Sequence, residues 1–371
     1  MAQAEEEIYC IGCGAKIQTE NKDELGYTPQ SALDKGLEKG EVYCQRCFRL
    51  RHYNEIAPVS LTDDDFLRLL GQIREDDALI VYVVDMFDFN GSMIPGLHRF
   101  VGDNPVLLVG NKEDIFPRSL KRSKMKEWLK QQANLQGIRP IDVLLTSAKN
   151  TDEIETLLNT IEKHRKHRNA YVVGVTNVGK STLINQIIRL NNGVQDLITT
   201  SRFPGTTLDK IEIPFEDGKM LIDTPGIVHE DQMAHVLTGK DLKYVSPQKT
   251  IKPKTFQLDS QQTLFFGGIG RFDYLSGHGA VSTYFENNLF IHRTKLSNAD
   301  HFYEKHLGEL LTPPDAADKQ RLPELQRHEF RLDEKSDVVI EGLGWVTVPA
   351  HATIAIWAPQ GISTVVRRPL V

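Results

Sequence analysis

Hydrophobic positions change period repeatedly between residues 58 and 230, from helical spacing to short unbroken apolar runs and back. SLTDDDFLRLLGQIRE reads as a helix: Thr62 stands as N-cap, acids fill the first turn, and Phe66, Leu69, Leu70 and Ile73 share a face. ALIVYVVD, ending in Asp85, then reads as a buried strand, and NPVLLVGNKED as a second. SLKRSKMKEWLKQQANL predicts an exposed helix, IDVLLTSAKN a third strand, and TDEIETLLNTIEKHRKHR a helix capped by Thr151. The basic end of that helix, Arg165 to Arg168, complements the helix dipole. NAYVVGV is a further strand and STLINQIIRL a helix with Leu183, Ile184, Ile187 and Ile188 on one side. LDKIEIPFEDGKMLID predicts a hairpin turning at Asp217 and Gly218. Strands alternating with helices predict an α/β fold around a mostly parallel sheet.

The pattern on either side of this region is different. Residues 231–371 are β-rich and carry an internal echo: GGIGRFDYL before VSTYFENNLFIHRTKL parallels EGLGWVTV before ATIAIWAPQGISTVVRRPL. Gly268 and Gly270 align with Gly342 and Gly344, which predicts a duplicated β unit. The copies are separated by NADHFYEKHLGELL, a helix expected to be capped at Asn298, and by Pro313 and Pro314. Residues 1–57 contain little apolar periodicity. Three domains follow: 1–57, 58–230 and 231–371.

Composition narrows the class. With 25% charged and 40% hydrophobic residues the chain reads as a globular protein, and a net charge of -6 excludes a uniformly basic nucleic-acid binder. No apolar run approaches a membrane span, and the first residues lack a signal-peptide pattern, so a cytoplasmic protein is expected. All four cysteines lie in the first domain as CIGC, Cys10 and Cys13, and CQRC, Cys44 and Cys47. Two such pairs suit a tetrahedral Zn²⁺ site, which would staple a segment too poor in apolar residues to fold alone. FRLRHYN after Cys47 suits either a nucleic-acid surface or a solvated rim.

Five motifs carry the chemistry. GVTNVGKST fits GxxxxGK followed by Ser or Thr and sits between a strand and a helix, the context a phosphate-binding loop requires. Gly174, Asn177, Val178, Gly179, Lys180, Ser181 and Thr182 are its candidate ligand-binding residues, with Lys180 directed at phosphate oxygens and Ser181 at Mg²⁺. NKED brings Asn111, Lys112 and Asp114 to a strand's carboxyl end, where open α/β sheets bind ligands. The Asp114 carboxylate can accept from guanine N1–H and the exocyclic amine, donors that adenine lacks in that arrangement. TSAK supplies Ser147, Ala148 and Lys149, with the Ala148 N–H directed at guanine O6. SRFPGTT contains Thr206 and Thr207, of which Thr207 is the expected Mg²⁺-facing hydroxyl, and DTPG contains Asp223 for the metal and Gly226 for the γ phosphate.

These motifs are those of Ras-like GTPases, met in the order base, base, phosphate, switch one, switch two. The chain therefore resembles the circularly permuted P-loop GTPases, and with a CxxC pair ahead of them it resembles the YqeH-like group. The resemblance implies GTP and GDP as ligands and service in assembly of the small (30S) ribosomal subunit, with ribosomal RNA or its precursor particle as partner and ribosomal proteins as further contacts. It also implies a β-rich RNA-binding C-terminal domain. Lys240, Lys243, Lys249, Lys252, Lys254, Arg293, Arg367 and Arg368 are candidate phosphate-backbone contacts or a solvated face. Phe272, Tyr274, Tyr284 and Phe285 stack bases or fill a core, with a core the expectation. Ile227 stands where a water-orienting Gln follows the DxxG glycine, so slow intrinsic hydrolysis is expected. Relatives with the Asn of NVGKS use K⁺ beside the phosphates, so the resemblance implies K⁺ stimulation through Asn177, which joins Lys180, Thr207 and Gly226 as a candidate catalytic residue. Switch two feeds directly into the C-terminal segment, an expected lever. The competing reading is a GTP-regulated module whose zinc and β domains dock proteins.

Overall fold

Each apolar run between residues 78 and 223 becomes a strand of one seven-stranded sheet in the computed structural model. The structure describes residues 8, 16–22, 26–39, 42–45, 48, 60–61, 71–190, 199–202, 209–227, 232–237, 239–316 and 319–371. Cys10, Cys13, Cys47, Thr206 and Thr207 lie outside the described residues, as do residues 62–70 of the first expected helix, whose residues 71–75 are helical. The described chain divides into two compact units, one within 1–85, 94–112 and 129–228, the other within 86–93, 113–128 and 229–371.

The first unit begins with helix α1 (Gln30–Lys39) and strand β1 (Ser60–Leu61). Its sheet is built from β2 (Ala78–Asp85), β3 (Val106–Asn111), β4 (Asp142–Leu145), β5 (Asn169–Val173), β6 (Thr199–Arg202), β7 (Asp209–Pro214) and β8 (Met220–Asp223). The order is β4-β3-β2-β5-β8-β7-β6, parallel from β4 to β8 and antiparallel beyond. Every residue of β2 is buried, as a central parallel strand covered on both faces must be. Helices α2 (Leu97–Val101), α3 (Arg122–Leu135), α4 (Thr151–Arg165) and α5 (Lys180–Leu190) follow in chain order. α4 is capped by Asn150, one residue before the expected Thr151: Asn150 holds an extended backbone and its Oδ1 accepts from the Asp152 N–H at 3.1 Å. Arg165 also differs from expectation. It is buried, chelates Glu162 through two nitrogens, donates to Asp217 at 2.8 Å and lies over the Phe215 ring. It ties α4 to the β7–β8 hairpin rather than serving only the helix dipole.

Strand β9 (Gly226–Ile227) leaves the DTPG motif and pairs in parallel with β1, Ser60 opposite Gly226 and Leu61 opposite Ile227. The chain that leads into residues 62–75 thus lies beside the chain that leaves switch two.

The second unit carries β10 (Lys254–Asp259), β11 (Gln262–Phe266), β12 (Gly270–Ser276), β13 (His278–Phe285) and β14 (Ile291–Lys295), then helix α6 (Leu296–His306). It continues with β15 (Leu325–Leu332), β16 (Ser336–Ile340), β17 (Gly344–Val348), β18 (Ala352–Pro359) and β19 (Thr364–Arg367). The duplication is visible in the pairing. One sheet has the order β10-β13-β17-β16-β19 and the other β15-β18-β12-β11-β14, so exchanging the two sets of strands turns one sheet into the other. Leu264, Phe266, Phe272, Tyr274, Val338, Ile340, Val346, Val348, Ile354 and Ile356 form the shared core, together with Phe285. Phe272, Tyr274, Tyr284 and Phe285 are all buried, as a core requires.

Alternate residues of the same strands face away from that core, and there the copies keep a polar signature. Thr263 donates to Asp273 across β11 and β12 at 2.6 Å, and Thr347 donates to Asp337 across β17 and β16 at 2.6 Å, donor and acceptor exchanged between equivalent strands. Asp273 also accepts from Arg271 and from the Trp357 indole, each at 2.8 Å. Asp337 accepts from the Leu370 N–H at 3.0 Å, and burial pushes its carboxyl above the ordinary value. Trp345 stacks on Tyr284 at 4.8 Å, and Phe87 and Phe116 pack on it from segments 86–93 and 113–128. Arg367, expected on the surface, is buried there: it donates to Asn90 at 2.6 Å and lies over Trp128 and Trp345. On the other sheet α6 covers Phe265 through Phe302 and Tyr303. The helix starts after Lys295, so Asn298 lies inside it and is not the cap.

Candidate functional site

The phosphate-loop sequence forms the turn between β5 and α5, and its glycines have separate reasons. A Cβ on Gly174 would stand 2.7 Å from the Val83 carbonyl oxygen, so only glycine lets the loop start this close to β2. Asn177 and Gly179 both have positive φ, +65° and +88°, which curls the chain back on itself. Lys180, the first residue of α5, is buried and donates to the Asp223 carboxylate and to the Thr224 carbonyl. Thr224 is itself anchored, its hydroxyl donating to the Val172 carbonyl at 2.7 Å. The loop lysine and the DTPG aspartate therefore share one buried contact. Ser181 is half-buried and Thr182 exposed at the start of α5. Gly226 is buried, and a Cβ there would meet Thr176 at 3.3 Å, so the DTPG glycine lies against the loop.

Asn111 and Lys112 approach the same loop from β3. The Asn111 amide donates to the Val178 carbonyl at 2.8 Å, and Lys112 Nζ donates to the Asn177 carbonyl at 2.8 Å. Lys112 also pairs with Asp85 at 2.6 Å. Neither the Asn111 Oδ1 nor the Thr146 hydroxyl, both buried, has a partner among the described residues. Buried polar atoms left this way at a strand's carboxyl edge fit a site that takes a polar ligand. Ser147 is buried after β4; its N–H donates to Glu153 at 2.6 Å and its hydroxyl accepts from the Lys149 N–H at 3.2 Å. Ala148 is half-buried and Lys149 exposed. Asp114, half-buried, belongs to the second unit, where its carbonyl accepts from the Thr250 hydroxyl at 3.2 Å.

Asp85 and Glu153 hold motif residues in place without belonging to the motifs, and Thr224 does so from within DTPG, where only Asp223 and Gly226 were given roles. Asp85 was within reach of sequence reasoning, since it ends a strand next to the one that ends in Asn111, and the two residues are register partners. Glu153 carries no such signal. Among the described residues no group of three or more His, Cys, Asp and Glu is placed to hold a metal. Cys44, the one described cysteine, is buried.

A family model for a 50S ribosome-binding GTPase matches residues 169–261, and a model for the YqeH-like C-terminal region matches 278–370. The protein YqeH of Bacillus subtilis (strain 168) is 55% identical over 99% of this chain and 100% of its own length. The chain belongs to the YqeH family. Other relatives reach into eukaryotes: NO-associated protein 1 of Arabidopsis thaliana is 31% identical over 91% of this chain and 69% of its own, and nitric oxide-associated protein 1 of Homo sapiens 24% over 98% and 75%. The crystal structure of GNP-bound YlqF from T. maritima overlays with a TM-score of 0.32 at 22% identity, covering 50% of this chain and 67% of that chain. Membership of the YqeH family makes the first unit's sheet a P-loop GTPase fold, with a β-rich region after it. No helix among the described residues is long and apolar enough to cross a membrane.

Proposed function

We propose that this protein binds GTP with Mg²⁺, hydrolyses it slowly to GDP and phosphate, and uses the cycle to control its attachment to the ribosomal small-subunit precursor. The observation that carries the reading is the pair of bonds from Asn111 and Lys112 to the carbonyls of Val178 and Asn177, because it joins base motif and phosphate loop despite their inverted order in the chain. Asp114 and the Ala148 N–H read guanine, Lys149 flanks it, and Lys180 releases Asp223 to meet phosphate oxygens. A bound Mg²⁺ would neutralise phosphate charge; Ser181, Thr207 and Asp223 are hard oxygen donors suited to it. Asn177, exposed on the loop, is the residue on which K⁺ stimulation rests. Four cysteines in two pairs support a structural Zn²⁺, and one zinc per chain by elemental analysis is the expected result.

Phosphate release with Mg²⁺, measured in KCl and in NaCl, tests the catalytic part. A clear rate advantage in KCl, abolished in Lys180→Ala, is expected; equal rates in the two salts would remove the K⁺ role. Ribosomal RNA, small-subunit precursors and ribosomal proteins are the proposed partners, in the cytoplasm. Exposed Lys243, Lys249, Lys252, Lys254, Arg293 and Arg368 support phosphate contact. Sedimentation with ribosomal subunits in GDP, GTP and analogue states tests the attachment. Steep weakening with salt is expected for RNA, whereas a protein dock would be largely indifferent to salt.

A further inference from the structure

We infer that Asp85 is a positioning residue for guanine nucleotide, acting through Lys112 on the phosphate loop. The inference rests on the GTP-binding reading above and adds to it a residue outside the five motifs. Asp85 ends β2, and parallel pairing sets it opposite Asn111, one residue before Lys112. Lys112 has φ +65°, a conformation rare for a side chain of this size, and its ammonium reaches two elements at once: the Asp85 carboxylate at 2.6 Å and the Asn177 carbonyl at 2.8 Å. The Asp85 side chain is 10% exposed and that of Lys112 26%. The carboxylate gives the ammonium a charged partner away from solvent, and a lysine held by a lone carbonyl would swing toward water. The pair therefore fixes where the ammonium sits, and the ammonium fixes the Asn177 carbonyl at the crest of the loop.

β2 also supports the root of the same loop, through the close approach of Gly174 to the Val83 carbonyl. One strand thus braces the loop at its root and at its crest, by main-chain contact at Gly174 and by charge, through Lys112, at Asn177. Losing the charge leaves the strand in place and frees Lys112. Nucleotide then has to order the loop on binding, so affinity falls while turnover of the bound complex does not.

Titration of full-length protein with a fluorescent GDP analogue, together with steady-state GTP hydrolysis, tests this. Asp85→Asn keeps the shape and removes the charge; Kd and KM are expected to rise about tenfold or more, with kcat within about twofold. Asp85→Glu restores charge at the expense of one extra methylene, so it is expected to bind more tightly than Asp85→Asn. A packing role predicts the reverse order, because Asn is the closer match in shape. Lys112→Gln in the Asp85→Asn background is expected to add little to either single loss. Wild-type-like affinity in Asp85→Asn, tighter binding by Asn than by Glu, or additive losses would each overturn the assignment. A wild-type chain that takes up no guanine nucleotide would instead overturn the GTP-binding reading on which it stands.

Discussion

Replacing Gly179 by alanine separates two demands that the phosphate loop places on one residue. At φ +88° a side chain costs roughly 1–2 kcal/mol relative to glycine. The new Cβ would also stand 2.4 Å from the Asn111 amide nitrogen, and Asn111 is buried with 1% of its surface exposed. Asn111 must then turn away from the Val178 carbonyl, giving up its 2.8 Å bond. A buried donor and acceptor left without each other cost about 1–3 kcal/mol. The sum is about 2–5 kcal/mol, shared between folding and ligand binding. Gly218→Ala is the control: φ is +81° there but no atom lies within 4 Å of the added carbon, so only the conformational cost applies. Fluorescent GDP titration and thermal melting of both variants give the comparison. Gly179→Ala is expected to lose about tenfold or more in affinity and to melt lower than wild type, and Gly218→Ala to bind like wild type with a modestly lower Tm. GDP affinity within about threefold of wild type in Gly179→Ala would refute the claim that Asn111 clamps the loop.

Asp217→Asn tests the Arg165 anchor through pH. The Arg165 guanidinium holds the Asp217 carboxyl well below its usual range. A depressed carboxylate stabilises fully above its unfolded value of about 3.9, and the contribution is lost as pH falls through the folded value. The Tm gap between wild type and Asp217→Asn should hold steady from pH 7 to about 5 and close below about pH 4. Asp273→Ala leaves the buried Arg271 and Thr263 donors and the half-buried Trp357 indole without their shared acceptor, so a loss of about 3–5 kcal/mol in urea unfolding is expected, with a smaller loss for Asp273→Asn.

Much of the architecture was legible because it follows from local rules. ALIVYVVD became a strand over the same residues, 78–85, since a fully apolar run bounded by acids has few other stable fates. The hairpin turned at Asp217 and Gly218 because positive φ at that point suits glycine. The repeat seen at Gly268, Gly270, Gly342 and Gly344 became two equivalent sets of five strands. What escaped depends on partners distant in the chain. Arg367 reads as a strand-end cation until Asn90, Trp128 and Asp337 enclose it, and Arg165 as a helix-end cation until the hairpin bearing Asp217 folds against it. Asn150 takes the cap from Thr151 because Asn150 holds the extended backbone from which its side chain accepts from the Asp152 N–H, while Thr151 is already helical, a choice between neighbours that spacing cannot make. In the candidate site the motifs mark Asn111, Lys112 and Ser147, and of their supports Asp85 could be found from its place at a strand end while Glu153 could not, since each acts through a motif side chain or backbone rather than on a ligand.

Each five-stranded sheet of the second unit takes two strands from one copy of the repeat and three from the other. Neither copy owns a complete sheet. A lone copy, such as residues 254–295, would show open strand edges and a bare apolar face, and its natural way to cover them is to embrace a second copy of itself. The unit is thus a twofold dimer written into a single polypeptide, with α6 and the segment that follows it serving as the tether. Breaking that tether should not scatter the halves: expressed as two fragments, they are expected to find each other and co-elute as one species. The same interlacing gives inheritance an unusual rule, because a change in one copy alters the sheet that the other copy completes, and the two cannot drift apart independently.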